Sequence, residues 1–315
     1  MRLLNKAFLL AAAGWLTGTV GFGQEEGIAT FRTDVRRVVL NTTVVDSRGH
    51  LVTNLPQSAF RVFENGVEQK ILQFRREDIP VSMALVVDNS GSMRDKRQRV
   101  ESAALNLVKA SNPQDEVMIV NFNDEAYEDV TFTSDLKKME EGLTRIDARG
   151  GTAMRDAISM TIDRVREAAK KDKKVMLVVT DGNDNMSSIS LERLLQKAHE
   201  SGILIYCIGL LSQEDKREAK RAKRALDALA TASGGAAYYP NDLNEVEKLA
   251  QQVAHEIRNQ YVIVYSPTNQ ALDGTFRQVK VNVTGPNRPV ARTRSGYYAT
   301  PEPAKRQQVS QASSR

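Results

Sequence analysis

Asp88, Ser90 and Ser92 stand at alternate positions in the string Asp88-Asn89-Ser90-Gly91-Ser92. Thr152 follows the pair Gly150-Gly151, and Asp181 lies in Thr180-Asp181-Gly182. Between them they offer three neutral hydroxyls and two carboxylates, a donor set made only of oxygen. Oxygen ligands suit hard divalent cations. Mg²⁺ takes six of them at about 2.0–2.1 Å and usually keeps several as water. No thiolate or nearby histidine joins the set, which disfavours softer metals. Five donors, some acting through water, leave at least one position for a ligand from outside.

Distant donors converge only if regular elements carry them to one place. Val81 to Val87 is a nearly continuous apolar run, as expected of a strand buried on both faces. Val117–Phe122, Val175–Thr180 and Ile203–Gly209 read the same way. Helical spacing separates them: Val100, Ala103, Ala104, Leu107 and Val108 share one face, and helices are expected over 136–146, 153–169, 191–200, 216–232 and 246–257. Val130–Thr133 and Ala236–Tyr239 are short strands. This alternation predicts a doubly wound, Rossmann-like α/β fold with a mostly parallel sheet. The three motifs follow, or open a helix near, the carboxyl ends of the strands, where open α/β sheets bind ligands.

With the elements in place, the pattern becomes specific. D-x-S-x-S, a threonine after paired glycines, and an aspartate in T-D-G resembles the metal-ion-dependent adhesion site of von Willebrand factor A domains. The resemblance covers roughly residues 80–258. It implies that Ser90, Ser92 and Thr152 bind a divalent cation directly, Mg²⁺ or alternatively Mn²⁺ or Ca²⁺, while Asp88 and Asp181 act largely through water. It also implies a partner protein that offers an Asp or Glu carboxylate to the metal. Simpler roles compete with these. Ser92 and Thr152 can cap helices, Asp156 suits a helix start, and Asn183, Asp184 and Asn185 suit turns.

The flanks have a different rhythm. Val35–Val45, Phe60–Phe63, Val67–Phe74, Tyr261–Tyr265, Phe276–Val283 and Val290–Tyr298 read as strands. Asn65-Gly66 is a hairpin signal, and Asp273-Gly274 and Gly285-Pro286 are taken as two more. Segments 24–79 and 259–299 are each too small to bury a core alone. They are therefore expected to pair into one accessory β module. Leu55, Phe60, Glu64-Asn65-Gly66, Gln69, Phe276-Arg277 and Gly296-Tyr297-Tyr298 resemble the von Willebrand A-related proteins of acidobacteria and neighbouring phyla.

Arg2 and Lys6 precede an apolar stretch to Phe22, and Gly21 and Gly23 form a small-x-small pattern. That layout predicts a cleaved signal peptide over 1–23, hence export to the periplasm or beyond, with no membrane span afterwards. The polar segment 300–315 is expected to be a disordered tail. Without Arg2 and Lys6, 42 basic residues face 39 acidic ones. An excess of +3 with no basic-aromatic motif argues against nucleic acid. The lone Cys207 lies in an apolar strand and reads as a small buried hydrophobe. His50, His199 and His255 fall away from the motifs, and no Ser elbow or His-Glu zinc motif occurs, so an enzyme is not expected. A basic run at Lys216, Arg217, Lys220, Arg221, Lys223 and Arg224 reads as a solvated helix face. The expected function is metal-dependent protein binding. A metal-rigidified scaffold and, behind it, a metal-dependent hydrolase or phosphatase are the alternatives.

Overall fold

The computed structural model describes residues 36–301 except 77, 110–111, 145–147, 183 and 212–214. The chain divides into two units, Met1–Asp34 and Val35–Arg315, and every described residue belongs to the second. The expected leader, Asn183 and all but the first two residues of the expected tail lie outside the described residues.

In chain order the strands and helices are β1 (Val38–Val45), β2 (Phe60–Glu64), β3 (Val67–Gln69), β4 (Ile71–Arg76), β5 (Val81–Asp88), α1 (Arg97–Lys109), β6 (Glu116–Phe122), β7 (Ala126–Thr133), α2 (Leu136–Thr144), α3 (Met154–Ala168), β8 (Lys173–Thr180), α4 (Leu191–Ser201), β9 (Leu204–Gly209), α5 (Lys216–Ser233), β10 (Ala237–Tyr238), α6 (Glu245–Arg258), β11 (Tyr261–Tyr265), β12 (Phe276–Val283), β13 (Val290–Arg292) and β14 (Gly296–Tyr298).

The central sheet has the order β10-β9-β8-β5-β6-β7. All neighbours are parallel except the edge strand β7, which runs antiparallel to β6. The two-residue alternation of β5 divides its side chains between two cores. Val81, Met83, Leu85 and Val87 join α1, α2 and α6 on one face. Ala84 and Val86 join α3, α4 and α5 on the other. Both faces being covered, every residue of β5 is buried, and that is why the sequence there does not alternate. A fully buried aliphatic side chain of this kind contributes about 1.5–3 kcal/mol.

The flanking strands build a separate pair of antiparallel sheets, β13-β1-β11-β4 and β14-β12-β2-β3. Each sheet mixes strands from before and after the α/β domain: β1 pairs with β11, and β2 with β12. Leu40, Phe60, Val62, Ile263, Tyr265 and Val281 are buried between them. The accessory β module is thus a small sandwich with its own core. Glu64 is buried there and accepts hydrogen bonds from the hydroxyls of Tyr265 and Tyr297, each at 2.7 Å.

Two strands expected to be continuous are broken. The run 67–74 is β3 in one sheet and β4 in the other, parting at Lys70; 290–298 is β13 and β14, again in opposite sheets. A strand in a sandwich has to cross a corner to serve both layers, and periodicity alone does not reveal that corner. For the same reason Asp273-Gly274 and Gly285-Pro286 are not hairpin turns. They lie between strands of different sheets. The Asn65-Gly66 hairpin does form, with both residues at positive φ, between the paired strands β2 and β3.

Candidate metal centre

Asp88 ends β5 and Thr180 ends β8, its parallel neighbour, so both reach the carboxyl edge of the sheet together. The Thr180 hydroxyl donates to Asp88 Oδ2 at 2.6 Å, and the Ser90 amide donates to Asp88 Oδ1 at 2.8 Å. Those two bonds hold the carboxylate and tie the first motif to the third. The second motif joins through backbone: Gly91 N donates to Gly150 O at 3.1 Å, and Arg149 N to Asn89 O at 3.0 Å. Thr152 N donates to Asn185 Oδ1 at 2.9 Å, which ties the second motif to the loop after Asp181.

The paired glycines have a steric reason. Gly150 has φ +77°, and a Cβ there would fall 2.3 Å from Asp124 Oδ2. Asp124 in turn accepts the Gly151 amide at 2.6 Å. The loop therefore presses against Asp124, and a side chain at 150 would push it away from β5.

The donor oxygens are arranged as follows. Asp88, Ser90, Thr152 and Asp181 are buried, while Ser92 is exposed. Ser90 Oγ and Ser92 Oγ are 3.1 Å apart. Adjacent corners of an octahedron with 2.0–2.1 Å bonds are about 3 Å apart, so this spacing fits two neighbouring ligands of a small hard cation. The Thr152 hydroxyl makes no hydrogen bond among the described residues. Asp181 Oδ1 is buried and has no hydrogen-bond partner among the described residues. A buried carboxylate oxygen left alone costs free energy, and a cation, direct or through water, is the partner its chemistry asks for. Burial also pushes Asp88 up to about 6, against the hydrogen bonds from Thr180 and Ser90 and with a further push from Asp181. Among the described residues no three His, Cys, Asp or Glu side chains gather as a metal cage. The hydroxyl-rich set is of another kind.

Neither alternative reading as a cap describes the geometry. The N-cap of α3 is Ala153, without a side-chain cap, and Ser92 sits inside a short 3₁₀ turn over Gly91–Met93. Asp156 is in the first turn of α3, as its position suggests, but its oxygens also accept from Ser188 N, Ser188 Oγ and Ile189 N. It shapes the loop after β8. Asp184 pairs with Arg155 through two side-chain bonds and the backbone amide. Cys207 is fully buried, and burial pushes its thiol up. The basic positions of α5 are all exposed.

Lys96 is the residue that motif reading missed. Its ammonium donates to Asp181 Oδ2 at 3.2 Å and to the Leu210 carbonyl at 3.3 Å. The only sequence signal was a lysine four residues beyond Ser92. In this pairing it is a donor, the opposite of a general base. His50, His199 and His255 lie in other parts of the fold.

The model of the von Willebrand factor type A domain matches residues 82–252, more than half of the chain. The chain belongs to the von Willebrand factor type A domain family. Its members serve as protein-interaction and adhesion modules. The matched span of this von Willebrand factor type A domain runs from β5 into α6 and contains all five candidate donors. Inter alpha-trypsin inhibitor heavy chain 4 of Mus musculus is 26% identical over 154 residues, covering 43% of this chain and 16% of that protein. Calcium-activated chloride channel regulator 3A-1 of Mus musculus is 27% identical over 175 residues, covering 52% of this chain and 18% of that protein. The chain thus matches less than a fifth of the length of these curated relatives. Among solved structures, proximal thread matrix protein 1 from the mussel byssus is 16% identical, with a TM-score of 0.49 over 62% of this chain and 51% of that one.

Proposed function

We propose that this protein is an exported, metal-dependent protein-binding module. Ser90, Ser92 and Thr152 would hold a divalent cation, Mg²⁺ or alternatively Mn²⁺ or Ca²⁺, through their hydroxyls, and Asp88 and Asp181 would act mainly through water, as the family resemblance implies. When bound, the cation supplies an electrophilic point that accepts a carboxylate oxygen from an Asp or Glu of the partner. The chain's own residues do the rest. Thr180 and the Ser90 amide orient Asp88. The Gly150-Gly151 turn seats Thr152 beside the first motif. The neutral hydroxyls leave the cation short of negative charge, so an anionic ligand is favoured from outside.

The buried, unpartnered Oδ1 of Asp181 is the observation that carries this reading. It supports a cation at this spot more directly than the motif does. Lys96 supports binding over hydrolysis, because among the described residues it is the one basic side chain bonded to a candidate ligand, and it is spent as a donor.

The deciding experiment combines isothermal titration of Mg²⁺ and Mn²⁺ with capture of envelope proteins in the presence and absence of EDTA, and with a phosphatase assay. Saturable metal binding, with capture that is lost in EDTA and in Thr152→Ala and without turnover, is the expected outcome. Metal binding with capture that survives EDTA makes the metal a rigidifier of the sheet edge and replaces binding with the scaffold reading. No metal binding at all removes the site assignment.

A further inference from the structure

At the opposite end of the α/β domain from Asp88 and Asp181 lies a cavity of about 590 Å³. One wall is the amino edge of the sheet: Lys173 opens β8, Leu204 opens β9, and His199 ends the last turn of α4 beside them. The other wall is the outer face of the sheet β13-β1-β11-β4. Strand periodicity of two places Arg37, Val39 and Asn41 on that face. The register then sets Asn41 opposite Val262, and Val262 opposite Arg75. Arg294, from the corner between β13 and β14, closes one side.

The lining is strongly biased in charge. Arg37, Arg75, Lys173 and Arg294 face it, with Asp172 as the one carboxylate among the described lining residues. Lys173 is partly satisfied by the Ile257 carbonyl. Arg37 makes no hydrogen bond or ion pair among the described residues. Arg294 Nε and His199 Nδ1 are buried without a hydrogen-bond partner among the described residues, and the Arg294 guanidinium lies 5.3 Å from the Tyr297 ring centre. A plain explanation is that the cations offset the carboxyl ends of α4 and α5, since both helices end at this cavity. Each helix end carries about half a negative charge, so the two together match about one of the four cations. Cations collected at a cavity with donors left unused are the arrangement that receives an anion, and arginine's planar fork suits carboxylate and phosphate oxygens. Val39, 48% exposed although apolar, and Val262 give the same wall an uncharged surface. The volume is in the range of small-molecule sites, roughly 300–1,000 Å³.

We propose that this cavity is a binding site for a small organic anion bearing phosphate or carboxylate groups, gripped by Arg37, Arg75 and Arg294, with its apolar part against Val39 and Val262. The site is independent of the metal reading and stands if that reading fails.

Inorganic phosphate and succinate serve as the two probes, each titrated into the whole protein and followed by thermal melting and calorimetry, with sodium chloride at matched ionic strength as control. A saturable rise, about 3 °C at ten times Kd, is expected for at least one probe beyond the chloride control. The probe that gives it names the head group. Arg37→Gln, at an exposed position, should keep the native circular dichroism and weaken binding at least fivefold; Arg294→Gln should weaken it further. If Arg294→Gln does not fold, Arg37→Gln decides alone. Equal shifts with chloride, or unchanged affinity in Arg37→Gln, overturn the site.

Discussion

The Lys96 ammonium lies 3.2 Å from Asp181 Oδ2, with the Asp181 side chain only 6% exposed. A tethered cation therefore already stands against one of the five candidate ligands. If a divalent ion enters, Asp181 has to exchange one positive partner for another. Lys96→Met removes the competitor while keeping the apolar stem. A partly buried pair of this kind is worth about 1 kcal/mol, so Mg²⁺ should bind about fivefold tighter in the variant. Calorimetry at fixed ionic strength reads this directly, and equal or weaker affinity would show that Lys96 supports the metal rather than opposing it.

Asp88 and Asp181 should separate in a stability assay. Asp88 accepts from both Thr180 Oγ1 and Ser90 N and is fully buried. Asp88→Ala strands two buried donors and should cost about 2–4 kcal/mol in urea unfolding even without metal. Among the described residues, Asp181→Ala loses the Lys96 contact alone and should cost under about 1 kcal/mol. Both should lose any Mn²⁺-dependent rise in melting temperature. A retained rise in Asp181→Ala would remove that residue from the site.

Lys173 gives a pH signature. It is 4% exposed, and burial lowers its ammonium from the ordinary lysine range to about 8. The folded state therefore releases its proton before the unfolded chain does. Between about pH 8 and 10.5 the unfolded state binds more protons, so this residue makes stability rise as pH rises. From pH 8 to 9.5 the contribution is roughly 1–2 kcal/mol. That contribution should disappear in Lys173→Met. Parallel curves for the two proteins in urea titrations across this range would refute the assignment.

Glu256, 1% exposed on α6, binds Arg292 of β13 and the Tyr238 hydroxyl of β10. Beside it, Gln260 donates to Thr43 Oγ1 at 3.0 Å and to the Tyr206 hydroxyl at 3.2 Å. These groups fasten the sandwich to the α/β domain. Glu256→Ala leaves a cation 29% exposed and a buried hydroxyl without an acceptor, and should cost about 2–3 kcal/mol. Limited proteolysis should then cut first between α6 and β11. Unchanged stability would show that packing alone joins the two parts.

The α/β domain was legible because its signals are long and redundant. β5 is eight apolar-rich residues, and α1 carries five buried apolar positions at helical spacing that the sequence exposes plainly. The meeting of the candidate donors at one sheet edge was legible because they follow such elements at fixed offsets. The breaks at Lys70 and at 293–295 were not, because strands of three residues carry too few side chains to show a change of face. Lys96 escaped for a different reason. A long flexible side chain finds Asp181 across 85 residues only once β5 and β8 are neighbours. The basic lining of the second cavity was equally hidden, since Arg37, Lys173 and Arg294 meet through tertiary packing alone.

β4 leads into the α/β domain and β11 leads out of it, yet the two strands are hydrogen-bonded neighbours, with Arg76 opposite Tyr261. The whole domain is thus a loop whose entry and exit close on one rung of the sandwich, with Glu256–Arg292 and Gln260–Thr43 as further fastenings. The two ends of the described chain also meet in the sandwich, where Arg36 Nη2 donates to the Tyr298 carbonyl at 3.3 Å. A pull applied between residues 36 and 301 would meet the ladders around β1 and β14 before it reached the α/β domain. A tether drawn tight at those two points would load the handle and spare the hand.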